Sequence, residues 1–455
     1  MQQENYDVLV VGSGVGGMCA GALLVHAGYK TLVVESLNRM GGRCSTDVVE
    51  GFTLPVGAIA IHKGAGMADT FREVGTELEL VDVPQLYYRI GGKDHEMPLK
   101  GSISTMFDII NKLDVDKGKL MTGLMKAGAT EKVMGAFRKA IKDPEREQMS
   151  FKDWLLQYTD NELAHQVFDT ITGTLCGGHT YEVNASAVFA WFVRMGGSRE
   201  VGISPKGNAA NMQRLTDIIK KNGDVWINSP CKSITVSGGQ VQGIVVEKDG
   251  KEVKVPGKIV ISNTGPKATA ALAGTDNFDE GYLRNMRLRC RAHPVTMCFV
   301  ASKIPLWPED GKPAIAMLTG TRRITSFVPF SLIVPQLAPP GQHVLFAFGA
   351  PKTSELHMDK EEEMRQIKLD LEEQIPRFKE HGRIIKMVPK DVDDPFPEVR
   401  TRIGLGMPPE TPVKGLYNVG DAIITLGIAG STGAAESGKR VADIIKKNYK
   451  PQKKK

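Results

Sequence analysis

Residues 6–46 read YDVLVVGSGVGGMCAGALLVHAGYKTLVVESLNRMGGRCST, and this stretch decides the fold. Tyr6 to Val11 is a short apolar run rich in Val and Leu, as a parallel strand buried on both faces requires. It runs into Gly12-Ser13-Gly14-Val15-Gly16-Gly17, a G-x-G-x-x-G element. Gly12 permits a tight turn, Gly14 lets a pyrophosphate approach the backbone, and Gly17 lets a helix lie close on the strand. The helix, expected over Val15 to His26 and ended by Gly28, turns the positive end of its dipole toward phosphate. A second strand, Thr31 to Val34, ends in Glu35, eighteen residues after Gly17, with Ser36 beside it. A carboxylate there accepts hydrogen bonds from a ribose. Strand, turn, helix, strand and acid in this order predict a dinucleotide site, and the charge of Glu35 disfavours a 2′-phosphate.

The next residues separate the dinucleotides. Arg39-Met40-Gly41-Gly42-Arg43 resembles the R-x-G-G-R element of a large flavoprotein group. That group holds the amine oxidases, protoporphyrinogen oxidases, phytoene and zeta-carotene desaturases, carotenoid isomerases and retinol saturases. Two glycines let the backbone fold over a pyrophosphate, and an arginine offers its oxygens a forked donor. The resemblance implies FAD.

Three further stretches carry the same resemblance. Gly51 to Ile59 is similar to the strand and turn that brings Gly57, Ala58 and Ile59 to the isoalloxazine ring, although Pro55 stands where the group usually has an acid. His62 follows as the histidine expected near the flavin and the single catalytic candidate. The run from Asn211 to Ser262, read as a helix, strands and a hairpin, is similar to the group's middle third, where the backbone near Cys231 passes the adenine. Gly415 to Asp421 and Gly427 to Arg440 resemble the C-terminal flavin signature, most nearly that of plant-type desaturases. This implies that Asp421 accepts a ribityl hydroxyl while the Gly420 backbone lies against phosphate. It also implies that a helix N-terminus at Ala429, Gly430 and Thr432 faces the ring atoms where negative charge gathers on reduction. Gly433, Ala434 and Gly438 would keep that helix low enough to seat the flavin.

Bulk properties exclude several classes. At 455 residues the chain needs about two domains. The net charge of +6 is matched by the six lysines among the last ten residues, so the body is neutral and no nucleic-acid surface is expected. Those lysines read as a solvated basic tail, with peripheral contact to an anionic membrane as the alternative. No run of about eighteen apolar residues suggests a spanning helix. Six cysteines without a C-x-x-C pair read as reduced cytosolic thiols, so neither a disulfide frame nor a metal site is expected.

The expected architecture is α/β: a Rossmann-like FAD-binding domain from 1–80, 200–275 and 410–447, and an interleaved α+β substrate domain from 81–199 and 276–409. Residues 448–455 form the tail. Strands are expected at Val295 to Ser302, Ser326 to Pro335 and His343 to Ala350, and a helix from Ser354 to Gln374. Methionines 106, 121, 125 and 134 suggest a core or an adaptable apolar lid. Arg400 to Lys414 and Ala422 to Lys447 contain no aromatic residue. Amine oxidases of the group usually place an aromatic cage member there. Its absence favours hydride transfer between FAD and an apolar isoprenoid, polyene or enone, with quinone, oxygen or a nicotinamide as electron partner. Amine oxidation is the alternative. Rab GDP-dissociation inhibitors, which share this architecture and bind prenylated proteins without flavin, are the non-enzymatic one.

Overall fold

The computed structural model describes residues 5–96, 110–111, 118–119, 149–194, 201–423, 428 and 430–451. The methionine-rich stretch 106–141 therefore lies outside the described residues apart from 110–111 and 118–119, as does Ala429.

Two sheets organise the chain. The first is parallel and five-stranded, in the order Gly223–Trp226, Thr31–Val34, Val8–Val11, Val260–Ser262, Leu416–Asn418. Val8–Val11 and Thr31–Val34 are fully buried, so both read as continuous apolar runs without alternation. The chain moves outward from the first strand to one side, then returns to build the other side. The switch lies between Val8–Val11 and Val260–Ser262, where parallel sheets open a crevice at their strand ends.

The helix Val15–His26 buries all its residues except His26, which is why it shows no polar face. It lies between the helix Asn208–Ile219 and the C-terminal helix Gly430–Asn448. Tyr29 anchors the end of the latter by donating to the Tyr449 carbonyl at 2.6 Å. The expected tail thus begins as ordered helix, and Lys446 pairs with Asp443 at 2.7 Å and Glu73 at 3.5 Å.

The second sheet has seven strands in the order Arg383–Lys390, Val295–Ser302, His343–Gly349, Ile324–Val328, Ile315–Leu318, Leu86–Ile90, Lys93–Glu96. Gly91 and Gly92, both with positive φ, close the last two into the expected hairpin. Val295–Ser302 is buried at every position because both faces are covered. Met297 and Phe299 pack with Phe52, Phe330 and Phe346, while Cys298 and Val300 pack with Trp307, Ile367 and Phe378.

Several boundaries differ from expectation. The strand expected over Ser326 to Pro335 ends at Val328, since Pro329 cannot donate to a ladder and Phe330–Ile333 turns helical. The helix expected from Ser354 begins at Lys360, because the Asp359 side chain caps the amides of Glu361 and Glu362. Ile315–Leu318, Arg383–Lys390 and Lys251–Pro256 are strands that the pattern did not reveal. Phe278, Tyr282, Met286 and Cys290, in the stretch expected to belong to the substrate domain, pack with Leu9, Val11 and Val260 of the parallel sheet. Amphipathic spacing specifies that a helix packs, not which sheet receives it.

Candidate active site

At the switch point the glycine turn meets the strand-end loop of Val260–Ser262. Gly12 has φ +91°, which the turn requires, and a side chain at Gly17 would stand 2.4 Å from the Gly12 carbonyl. These two agree with the turn-and-packing reading. Gly14 is different: a Cβ there would meet Asn263 Nδ2 at 2.1 Å, so the bare backbone accommodates that asparagine. Asn263 also accepts from the Gly17 amide at 3.2 Å. At Gly16 a Cβ would meet Asn263 Oδ1 and the Gly420 amide, both at 2.8 Å.

Glu35 is buried and reaches back to the turn. Its carboxylate accepts from the Ser13 amide at 2.8 Å, the Ser13 hydroxyl at 2.5 Å, Ser36 Oγ at 3.2 Å and the Leu37 amide at 2.9 Å. The expected ribose acceptor thus also staples turn to strand. Cys231 opens the strand Cys231–Ser237, with Sγ donating to its own Ser233 carbonyl at 3.4 Å. Just before it, the Asn228 and Ser229 amides donate to the Leu37 and Glu35 carbonyls at 2.9 and 2.7 Å.

Opposite ends of the chain close on one ion pair. Arg43 Nη2 lies 2.6 Å from Asp421 Oδ1, and its Nη1 donates to the Glu398 carbonyl at 2.9 Å. Arg400 donates its amide to Asp421 Oδ2 at 2.8 Å. Burial opposes a charge on Asp421, but Arg43 and Arg400 outweigh it and hold the carboxyl down at about 2. Arg39 donates to the Gly42 carbonyl at 3.0 Å, and Gly41 and Gly42 both have positive φ. The Ala58 amide donates to the Arg43 carbonyl at 3.0 Å, and a Cβ on Gly57 would strike Arg43 at 2.9 Å. The partly exposed turn through Ile59 therefore lies against this arginine.

Lys390 completes the group. Its Nζ donates to the Val56 carbonyl and sits 3.4 Å from Met297 Sδ. Burial, then repulsion from Arg43 and Lys386, pulls its proton equilibrium down to about 8. His62 is buried in the strand Ile61–His62, where Nδ1 accepts from the Gly64 amide at 3.2 Å. His179 bonds Asp169 at 2.7 Å and the Pro351 carbonyl at 2.5 Å.

The closing helix packs closely on the first. A Cβ on Gly438 would meet the Gly16 carbonyl at 2.3 Å, so the small residues on this face admit the first helix. Gly430 opens the described helix with φ +58°, and Thr432 is buried against Gly66. A 500 Å³ groove lined by Asp69, Glu436, Lys439 and Lys447 lies on the outer side of the same helix, away from the glycine turn.

A bare-backbone turn at the switch point, a buried acid ending the second strand and a half-buried arginine paired with a buried aspartate together fit a dinucleotide flavin. The fold and these residues define a flavin oxidoreductase. The chain matches the model of the flavin containing amine oxidoreductase family over residues 15–446 and belongs to that family, with FAD as its cofactor. It is 40% identical over 76 residues to a zeta-carotene-forming phytoene desaturase of Myxococcus xanthus, across 17% of this chain and 15% of that protein. It is 26% identical over 323 residues to amine oxidase [flavin-containing] B of Canis lupus familiaris, across 66% of this chain and 58% of that protein. The chain thus spans less than two thirds of either relative. An oxidoreductase structure from Methanosarcina mazei shares the fold with a TM-score of 0.81 at 23% identity, covering 96% of this chain and all of that one. Among the described residues no helix is long and apolar enough to cross a membrane, and no cluster of His, Cys, Asp or Glu is placed to hold a metal ion.

Proposed function

We propose that the chain oxidises or reduces a C–C or C=C bond of an apolar isoprenoid, polyene or enone-like substrate. The observation that carries this reading is the missing aromatic cage: Arg400 to Lys414 and Ala422 to Lys447 hold no aromatic side chain. Tyr417, between them, is buried in the parallel strand Leu416–Asn418. The similarity to a carotenoid desaturase supports the same reading.

In this reading Gly12 to Gly17 offer amides and a helix dipole to the pyrophosphate. Glu35 accepts from a ribose, sharing its carboxylate with Ser13. Arg43 and Asp421 face the ribityl and phosphate groups, and the turn Gly57 to Ile59 faces the ring. Bound FAD supplies two-electron hydride exchange at N5. Lys390, beside that turn and titrating near neutrality, holds or accepts a proton at Nζ. Quinone, oxygen or a nicotinamide serves as electron partner, and the basic tail is the candidate for peripheral membrane contact.

Amine oxidation is the second reading, favoured by the longer alignment to amine oxidase B. Anaerobic mixing of the yellow protein with isoprenoids, polyenes, enones and primary or secondary amines separates the two. Flavin bleaching by a polyene, or reoxidation by an enone, is expected; bleaching by amines alone overturns the proposal.

A further inference from the structure

The segment from Pro397 to Arg402 works on two sides. Its backbone serves the ion pair: the Pro397 and Glu398 carbonyls accept from Arg43 at 3.3 and 2.9 Å, and the Arg400 amide donates to Asp421. Its side chains reach a buried polar group. Arg402 Nη2 donates to Ser354 Oγ at 2.8 Å and stands 3.4 Å from Glu182 Oε1. His293 is locked to the segment by backbone bonds: its amide donates to the Val399 carbonyl at 3.0 Å and its carbonyl accepts from the Glu398 amide at 2.9 Å. The His293 ring is fully buried, with Nδ1 3.2 Å from Ser354 Oγ and Nε2 3.6 Å from Glu398 Oε2. Neither His293 Nε2 nor Glu398 Oε2 has a hydrogen-bond partner, and both are shielded from solvent.

Two such atoms facing each other are costly unless a proton lies between them. The donors can be counted. Ser354 Oγ donates to Glu182 Oε1 at 2.6 Å and accepts from Arg402, leaving a lone pair for His293 Nδ1–H. That tautomer makes Nε2 an acceptor. An ionised Glu398 would set lone pair against lone pair, whereas a carboxylic acid donates. The charged and titratable groups around Glu398 are Arg43 from the R-x-G-G-R loop, Glu182 and Cys176 from the turn after Glu162–Leu175, His293, and Arg402 on its own segment. His179 and Asp169 stand behind Glu182, and Asp421 lies across Arg43. Burial raises the Glu398 carboxyl well above its usual range; Arg43 opposes this and Glu182 adds to it. Burial first, then His179, holds His293 neutral with its equilibrium down at about 3.

We propose that Glu398 is a positioning residue kept as a neutral acid, whose proton, donated to His293 Nε2, holds segment 397–402 on Arg43 and Asp421. FAD retention therefore falls as pH rises. This rests on the reading that Arg43 and Asp421 hold FAD. When the proton leaves for solvent, a second carboxylate faces buried Glu182 and Nε2 loses its donor. The segment and its carbonyls then lift from Arg43; no other bond forms or breaks.

The test is FAD affinity by fluorescence titration between about pH 6 and about pH 10. It compares the wild type with Glu398→Gln, Glu398→Ala and Asp421→Asn. In the wild type Kd should rise in the alkaline limb by up to about tenfold per pH unit. Glu398→Gln should flatten the limb, since its amide still donates to Nε2, and Glu398→Ala should bind weakly at every pH. A flat wild type, or a Gln variant that keeps the limb, overturns the proposal. Infrared difference spectroscopy of the wild type against Glu398→Gln reads the proton without FAD. A carboxylic-acid carbonyl band near neutral pH is expected, and its absence overturns the assignment. Unchanged FAD affinity in Asp421→Asn would instead sink the cofactor reading, and with it the consequence for FAD, while the infrared band still judges the proton.

Discussion

Asp421 carries charge in a place that burial alone would keep neutral. Its folded equilibrium lies at about 2, against an ordinary 3.8, so its contribution is complete above the ordinary value and is lost as pH falls through about 2. Asp421→Asn should cost the apo protein about 2 kcal/mol at neutral pH. Denaturant titrations should show that deficit shrinking from about pH 4 to about pH 2. Lys390 works in the opposite sense. Its folded equilibrium at about 8 lies below the ordinary 10.5, so the stabilising balance is complete above 10.5 and is lost as pH falls through about 8. At neutral pH its half-buried ammonium costs on the order of 2 kcal/mol. Lys390→Met should therefore stabilise the apo protein at pH 7, with the advantage closing in alkali, while turnover falls if Nζ handles the proton. A variant both less stable and fully active would contradict each part. Glu35, Arg43 and Asp421 could be picked from the chain because glycines and strands bracket them. Lys390 could not, since nothing adjacent in sequence marks a lysine that ends an edge strand as desolvated.

At the scale of elements, the first helix and second strand occupy the expected residues, and the opening strand starts at Val8 inside the expected run from Tyr6, because local rules suffice there: apolar runs, a glycine turn and a stop at Gly28. The closing helix was legible as a helix but not in its partner. Its small face reads equally well as a cradle for a ring or a seat for another helix, and the structure seats it on Val15–His26. Gly438→Ala should then force the two backbones apart and destabilise the protein by about 1–3 kcal/mol, read from the denaturation midpoint. A neutral effect would mean that the helices are not in such close contact. Asn263, which covers the glycine turn, directly follows the strand Val260–Ser262. Its neighbour across the crevice depends on sheet order.

For the molecule as a whole, the candidate site draws on residues near 12–43, 56–59, 263, 390, 397–400 and 420–421, so it exists only when both sheets are folded. FAD at a hundredfold excess over its Kd should raise unfolding free energy by about 2.7 kcal/mol. Circular dichroism and tryptophan fluorescence should show one shared transition moving. A midpoint indifferent to FAD would remove the nucleotide site. The sequence by itself determined the first βαβ unit, the acid that ends it, and the central buried strands, because all of these follow from period and chemistry within a few residues. Only the tertiary structure decided that Asn263 lies on Gly14, that Gly438 rests on Gly16, and that Arg43 meets Asp421 across 378 residues of chain. Those pairings depend on the order in which the parallel strands assemble and on which backbones lack a side chain at the point of contact, and no local pattern encodes either.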